Sequence, residues 1–439
     1  MYRETAKELL SFIEKSYSCF HLIQNMKEEL NENGFQELYE AQEWKLKAGG
    51  KYYVSRNESS LIAFQIPKEN FVGFQIMASH SDFPTFKVKE NPEICVENQY
   101  TKLNVEKYGG MLCAPWFDRP LSVAGRLLVK EEDGIATKLV NVDRDLVMIP
   151  NLAIHMNREV NDGYKYNAQE DMLPLYSNTT EKGGFMAVVA ESAGVEKENI
   201  LGSDLYLYNR MQPTIWGAHD EFISSPRLDD LQCAYTSLQG FLKGHHSQTI
   251  QVFACFDNEE VGSSTKQGAA STFLYDTLYR IHHHLFQDDE DFYRAVASSF
   301  MLSGDNAHAV HPNHPEKTDQ QNGVYMNQGI VVKSHAGQKY TSDALSIAVL
   351  KDLCEKAGVP LQFFANRSDM LGGSTLGNIA MSQVSMNCVD IGLAQLAMHS
   401  SYETAGIKDS YDMIKVMEEF YNSHIQVVKD GYVIVDKEG

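Results

Sequence analysis

The chain has 439 residues, 43% of them hydrophobic and 22% charged, which fits a globular enzyme-sized protein and excludes a disordered or fibrous one. A formal net charge of −21 disfavours nucleic acid and anionic membrane as partners, and no long basic run offsets it. At this length two domains are expected.

The N-terminal MYRETAKELLSFIEKS alternates charged and apolar residues where a secretory peptide would need an uninterrupted apolar core. Nowhere do about 18 apolar residues run together, so no membrane-spanning helix is predicted. The seven cysteines are scattered and never spaced as C-x-x-C, which points to a reduced, cytoplasmic location.

Residues 2–34 carry two helical patterns. Leu9, Leu10, Phe12 and Ile13 share one face, then Leu22, Ile23, Met26 and Leu30, ending before Gly34. Segments 52–64 and 71–78 read as strands, and the second runs FVGFQIMA directly into Ser79, His80, Ser81 and Asp82. A lone histidine after a strand is usually structural. Asp82 is nevertheless placed to accept its second imidazole N–H, as partners of metal-bound histidines do. Residues 86–219 change texture to short alternating runs (Lys87–Lys89, Leu121–Lys130, Thr137–Val142) separated by turns, predicting a mainly β insertion. It contains an ordered Gly, Pro and aromatic loop at 108–120. IPNLAIHMNR sets His155 among apolar residues, where alone it reads as a core histidine.

From 220 the βα alternation resumes. SPRLDDLQCAYTSLQGFL predicts a helix from Pro226 with Asp229 and Asp230 in its first turn, where complementing the helix dipole accounts for one of them. The apolar run Ile250–Phe256 predicts a buried strand ending in Asp257, Asn258, Glu259 and Glu260. That edge of an open α/β sheet is where ligands bind, and two adjacent glutamates there repel unless a proton or metal compensates them; a solvated acidic turn is the plainer alternative. A helix is predicted over 265–287, where His282, His283 and His284 point in different directions, followed by an acidic turn at Asp288–Asp291. The strand 298–303 leads to Asp305, then His308, His311 and His314 on a loop interrupted by Pro312 and Pro315. Strand 329–333 ends in Lys333, for which an exposed position is as ordinary as a functional one. NRSDMLGGSTLGNIA (366–380) is a Gly-rich turn with Ser374 or Thr375 as N-cap. Strand 384–393 leads to His399, and a helix closes the chain at 411–429.

A dinuclear hydrolytic site needs a bridging carboxylate, terminal ligands for each ion and a base that is not itself a ligand. His80, Asp229, Glu260, Asp305 and His399 fit the ligand set, leaving Glu259 as base. Mixed imidazole and carboxylate ligands suit zinc, cobalt or manganese better than calcium or magnesium. G-x-S-x-G, H-E-x-x-H, Walker and G-x-G-x-x-G motifs are absent. A non-catalytic assembly protein would need a degraded ligand set, and all five ligands and the base are present.

HSD (80–82), YGG…WFDRPLSVAGR (108–126), IPNLAIHMNR (149–158), SPRLDDL (225–231), DNEEVGS (257–263), SGDNAHAVHPNH (303–314) and QLAMHS (395–400) resemble the M18 aminopeptidases, the aspartyl aminopeptidase branch most closely. The resemblance implies an α/β zinc-peptidase fold. Its mixed sheet, flanked by helices, would be formed by 1–85 and 220–439 and split by an inserted mainly β dimerisation domain at 86–219. It also implies a homo-oligomer, a tetrahedral dodecamer built from dimers, acting on peptide substrates with two divalent ions, zinc by preference with cobalt or manganese as alternatives. In that pattern His80, Asp229 and Asp305 hold one ion and Asp229, Glu260 and His399 the other. Asp82 orients His80, Glu259 is the general base, His155 reaches a neighbouring subunit's site, and His308 and Lys333 line the substrate pocket. DMLGGSTLG departs from the family's more usual DTPCGTTIG-like turn, and Asn151 stands where a histidine often precedes LAIH. The expected activity is removal of an N-terminal residue, acidic Asp or Glu by preference. Neutral specificity, or a related metal-dependent dipeptidase or deacylase, are the alternatives.

Overall fold

The computed structural model describes residues 1–68, 71–179, 182–245, 247–286, 288–429 and 431–436. Its centre is a nine-stranded mixed sheet in the order Gln36–Leu38, Lys51–Arg56, Ser60–Gln65, Thr249–Phe256, Gly73–His80, Phe300–Gly304, Asn387–Gly392, Ile330–Lys333, Leu361–Phe364. Thr249–Phe256, Gly73–His80, Phe300–Gly304 and Asn387–Gly392 run parallel to one another. Phe256 is paired with His80, so the residues following these strands emerge along one edge. The region read as a single strand over 52–64 is a hairpin, turning at Asn57 and Glu58, both with positive φ.

Strands with both faces covered read as continuous apolar runs, and Thr249–Phe256 is buried at every position. Its side chains alternate between two cores. Phe253 and Cys255 face the helices Tyr2–Lys15, Cys19–Glu32, Leu228–Lys243, Ala344–Ala357 and Asp409–Asn422, while Val252, Ala254 and Phe256 face Phe273–Phe286, Asp289–Ala297 and Leu376–Ala380. The helices Leu228–Lys243 and Asp409–Asn422 approach so closely that a Cβ on Gly240 would lie 2.2 Å from Met417 Cβ.

A second, six-stranded antiparallel sheet spans Thr85–Asn209 and carries its own apolar core around Phe86, Leu121, Leu127, Phe185 and Leu207. It includes a helix, Gly184–Ala193, not expected from the strand-like texture. A third sheet joins Thr214–Trp216, Phe222–Ser225, Glu403–Gly406, Ala394–Leu396 and Ala307–His308. His308 therefore belongs to a short strand, and only His311 and His314 lie on the loop beyond it.

Other element boundaries differ for local reasons. The helix predicted from 265 begins at Phe273, because Ser263–Thr272 is occupied by turns, and its predicted last residue, 287, lies outside the described residues. Asp288 caps Asp289–Ala297 by accepting from Glu290 N–H, so the acidic turn is a helix start. The closing helix stops at Asn422 and the chain continues as the hairpin Ser423–Val428 and Gly431–Asp436.

Candidate metal centre

His80 ends its strand almost fully buried. Its Nδ1 donates to the Asp82 carbonyl at 3.1 Å and lies 3.4 Å from Asp82 Oδ1. That leaves Nε2 facing Asp229 Oδ1 at 3.6 Å, Asp305 Oδ1 at 3.8 Å and Asp230 Oδ2 at 4.0 Å. On the far side of Asp229, Oδ2 lies 3.3 Å from His399 Nε2, which is 3.4 Å from Glu260 Oε1. His399 is oriented by donating Nδ1–H to the Gly110 carbonyl at 2.5 Å, so the loop 108–120 takes part in the site. Two clusters of donor atoms share Asp229: His80, Asp229, Asp230 and Asp305, and Asp229, Glu260 and His399; a third groups His80, Glu259 and Glu260.

The expected first helical turn does not form around these aspartates. Asp229 and Asp230 have non-helical φ/ψ and are buried, and Pro226 lies outside the helix. The Asp229–Asp230 peptide bond is cis. Dipole complementation explains neither residue. Asp230, absent from the expected ligand set, accepts from His80 N–H at 3.2 Å.

Glu259 and Glu260 open a short 3-10 turn between Asn258 and Gly262, both at positive φ. Asp82 clamps this turn: its Oδ1 accepts from Glu259 N–H at 3.0 Å, and its Oδ2 accepts from Glu260 N–H at 3.1 Å and from Tyr108 O–H at 2.6 Å. Tyr108 in turn accepts from Asn258 Nδ2 at 2.7 Å. Asp82 thus lies beside His80 and holds both glutamates.

Lys333 is buried, not at the surface. It donates to the Asp305 carbonyl at 2.9 Å, to Asp305 Oδ2 at 3.2 Å and to the Asn306 carbonyl at 3.4 Å. An ammonium has three donors, so a substrate carboxylate would have to displace one of these bonds to reach it. His308 is exposed nearby, its ring 6.2 Å from that of Phe364. His155 is exposed in the turn Ile154–Met156 and does not join the site within one chain, so the core-histidine reading is also corrected.

The local field favours added positive charge. Burial, with Asp305, Asp82 and Asp229 near, pushes the Glu259 carboxyl up to about 8 against the pull of His80. Burial and Asp229 raise Glu260 well above the carboxylate range. Burial opposes charge on His399, yet Asp229 and Glu260 lift it to about 10. Asp305 is held low, burial being outweighed by Lys333 and His80. The side chains fit a metal: Asp229 Oδ1, Asp230 Oδ1 and Glu260 Oε1 are buried with no hydrogen-bond donor among the described residues, and imidazole with carboxylate oxygen is a zinc-type donor set.

Paired clusters of this kind at the carboxyl edge of an α/β sheet, with a further glutamate beside them, define a metal-dependent hydrolase. Comparison with known proteins agrees. The family described as Aminopeptidase I zinc metalloprotease (M18) matches residues 12–421, and the chain belongs to this family. It is 48% identical over 428 residues to a probable M18 family aminopeptidase 2 of Clostridium acetobutylicum, covering 95% of this chain and 99% of the relative. Among solved structures, Ape4 in a complex with Nbr1 superposes with a TM-score of 0.93 at 34% identity, covering 96% of this chain and 86% of that one. The S. cerevisiae mApe1 dodecamer superposes at 0.84 with 28% identity, covering 96% and 97%.

Proposed function

We propose that the chain is an aminopeptidase that uses two divalent ions, zinc by preference, with His80, Asp229 and Asp305 holding one and Asp229, Glu260 and His399 the other. The observation that carries this is Asp229 lying between two imidazoles with one oxygen toward each. Such ions supply Lewis acidity toward a peptide carbonyl and make water acidic near neutral pH. Glu259, beside both clusters and held by Asp82 through its backbone, takes the proton of the attacking water. It then returns that proton to the departing amine. The surplus of carboxylates favours the free ammonium of a peptide N-terminus, which supports removal of one residue over internal cleavage.

His155 is proposed to complete the site of a neighbouring copy. It is exposed between Leu152, Ile154 and Met156, also exposed, an apolar set suited to burial against a second copy. The assembly reading, a dodecamer built from dimers through the insertion at 86–219, rests on this surface and on likeness to the mApe1 dodecamer. A cytoplasmic location is supported by seven free cysteines. Among the described residues no helix is long and apolar enough to cross a membrane.

Preference for N-terminal Asp or Glu rests on Lys333. An acidic side chain would have to displace its longest contact, that to the Asn306 carbonyl at 3.4 Å. The three filled donors favour a second reading, neutral specificity. Hydrolysis of Asp-, Glu-, Leu- and Lys-anilides and of N-acetylated peptides after metal reconstitution tests both. Turnover of the N-acetylated peptides alone would overturn the aminopeptidase reading. Lys333→Met should lower kcat/KM for acidic substrates selectively if Lys333 pairs with substrate, and equally for all substrates if it serves Asp305.

A further inference from the structure

Two side chains outside the expected ligand set are tied to it through the backbone. Glu403 is buried in the strand Glu403–Gly406. Its Oε2 accepts from Asp229 N–H at 3.0 Å and its Oε1 from His399 N–H at 2.7 Å. One carboxylate therefore holds two main-chain segments that are 170 residues apart in sequence and that carry the central aspartate and the His399 imidazole. Neither segment is regular there: Asp229 lies outside helical φ/ψ and His399 has φ +65°. Regular helix or strand geometry fixes neither residue; Leu112 N–H holds the His399 carbonyl at 3.0 Å, and the carboxylate is what ties His399 and Asp229 to each other.

Arg227 faces Glu403 across a cavity of about 20 Å³ that both line, together with Asp229, Trp116 and Ser400. Room of this size admits one water. The guanidinium is buried. Its Nη2 donates to the Ile13 carbonyl at 3.1 Å, while Nε and Nη1 have no acceptor among the described residues. It also packs over the rings of Phe83 and Tyr208, at 5.6 and 6.0 Å, and lines a second cavity with Glu14, Tyr17 and Asp143. A buried guanidinium with two unused donors requires an acceptor; of the two carboxylates lining the first cavity, Asp229 turns its oxygens toward His80 and His399, which leaves Glu403.

We propose that Glu403 is a positioning residue that sets the spacing of Asp229 and His399 by gripping both backbone N–H groups, and that Arg227 anchors Glu403 through one water to the end of the helix Tyr2–Lys15. The inference rests on the reading of Asp229 and His399 as ligands. Glu403 touches no reacting atom; it governs the distance between the two sides of the metal centre. In Glu403→Gln one acceptor becomes an NH2 that faces an N–H, so one of the two grips is lost with little change in volume.

The test uses full-length protein stripped of metal, titrated with Zn²⁺ against a chromogenic chelator, with Co²⁺ absorption as a second readout. Glu403→Gln should weaken binding of one of two ions by roughly 10- to 100-fold, the scale for partners behind metal ligands. It should also shift the Co²⁺ spectrum and lower kcat while KM stays within about threefold of the wild-type value. His399→Ala is run alongside. If His399→Ala loses an ion while Glu403→Gln keeps wild-type affinity and spectrum, the positioning role is overturned and the ligand reading stands. If His399→Ala keeps both ions at wild-type affinity, the ligand reading itself fails. Should Glu403→Gln lack the native circular dichroism, Arg227→Met and Arg227→Lys decide. Weaker zinc binding in Arg227→Met that Arg227→Lys restores supports the anchor, and wild-type binding in Arg227→Met overturns it.

Discussion

Replacing Asp82 by Asn separates two roles that its position allows. Its carboxylate accepts from Glu259 N–H, Glu260 N–H and Tyr108 O–H, and Oδ1 also lies 3.4 Å from His80 Nδ1. The nearer acceptor for His80 is the Asp82 carbonyl at 3.1 Å, which the substitution leaves in place. The amide keeps one acceptor oxygen and turns an NH2 toward the other glutamate's N–H, removing at least one bond to an ionised acceptor, worth about 2 to 3 kcal/mol. If that loss falls on the placement of Glu259, it corresponds to roughly 30- to 150-fold in kcat. Steady-state hydrolysis of an aminoacyl-anilide, with metal content measured on the same preparation, gives both quantities. The expected result is two ions per chain and a kcat reduced to that extent. A kcat within threefold of wild type at full occupancy would refute the clamp on the glutamate turn. Loss of an ion with unchanged turnover per fully loaded chain would assign Asp82 to His80 instead.

Glu259→Gln should keep both ions and lose at least about 100-fold in turnover; loss of an ion there, with retention in Glu260→Gln, would reverse the two assignments. Mixed assemblies of His155→Ala and Glu259→Gln chains should recover activity that neither has alone if His155 serves a neighbour's site, and no recovery in verified mixtures would count against sharing between subunits. Away from the site, burial pushes the Asp409 carboxyl up to about 7 although it accepts from Asn327 and Gly329 N–H. A carboxyl raised above its unfolded value of about 4 favours folding when protonated, so its contribution is present below pH 4 and is lost as pH rises through 7. The unfolding free energy of wild type relative to Asp409→Asn, from urea titration, should therefore fall between pH 5 and pH 8, by no more than about 4 kcal/mol. An equal difference at both pH values would remove Asp409 from the pH dependence.

What was legible in the sequence follows from how narrowly each job restricts residue type. The strand Thr249–Phe256 is buried on both faces, so it had to be an unbroken apolar run, and the acids after it stand out. Metal ligation would demand imidazole or carboxylate, so His80, Asp229, Glu260, Asp305 and His399 stood out as a proposed ligand set, and the structure brings their side chains within a few ångströms of one another. The Pro226 helix start was misread because Asp229 and Asp230 satisfy the helix-start pattern while their carboxylates are turned into the site and their backbone is not helical. Lys333 followed a strand as expected, but its partner is 28 residues away in sequence, a pairing that local pattern does not encode.

Glu403 left the least trace, and the reason is general. Its partners are main-chain N–H groups, which any residue but proline supplies, so nothing at positions 229 or 399 requires an acid at 403. In HSSYE it resembles a solvated turn. A group that acts on side chains constrains the chemistry of its partners and can be read from residue types. A group that acts on backbone constrains only their positions, so it becomes visible once the irregular segments around Asp229 and His399 are placed side by side.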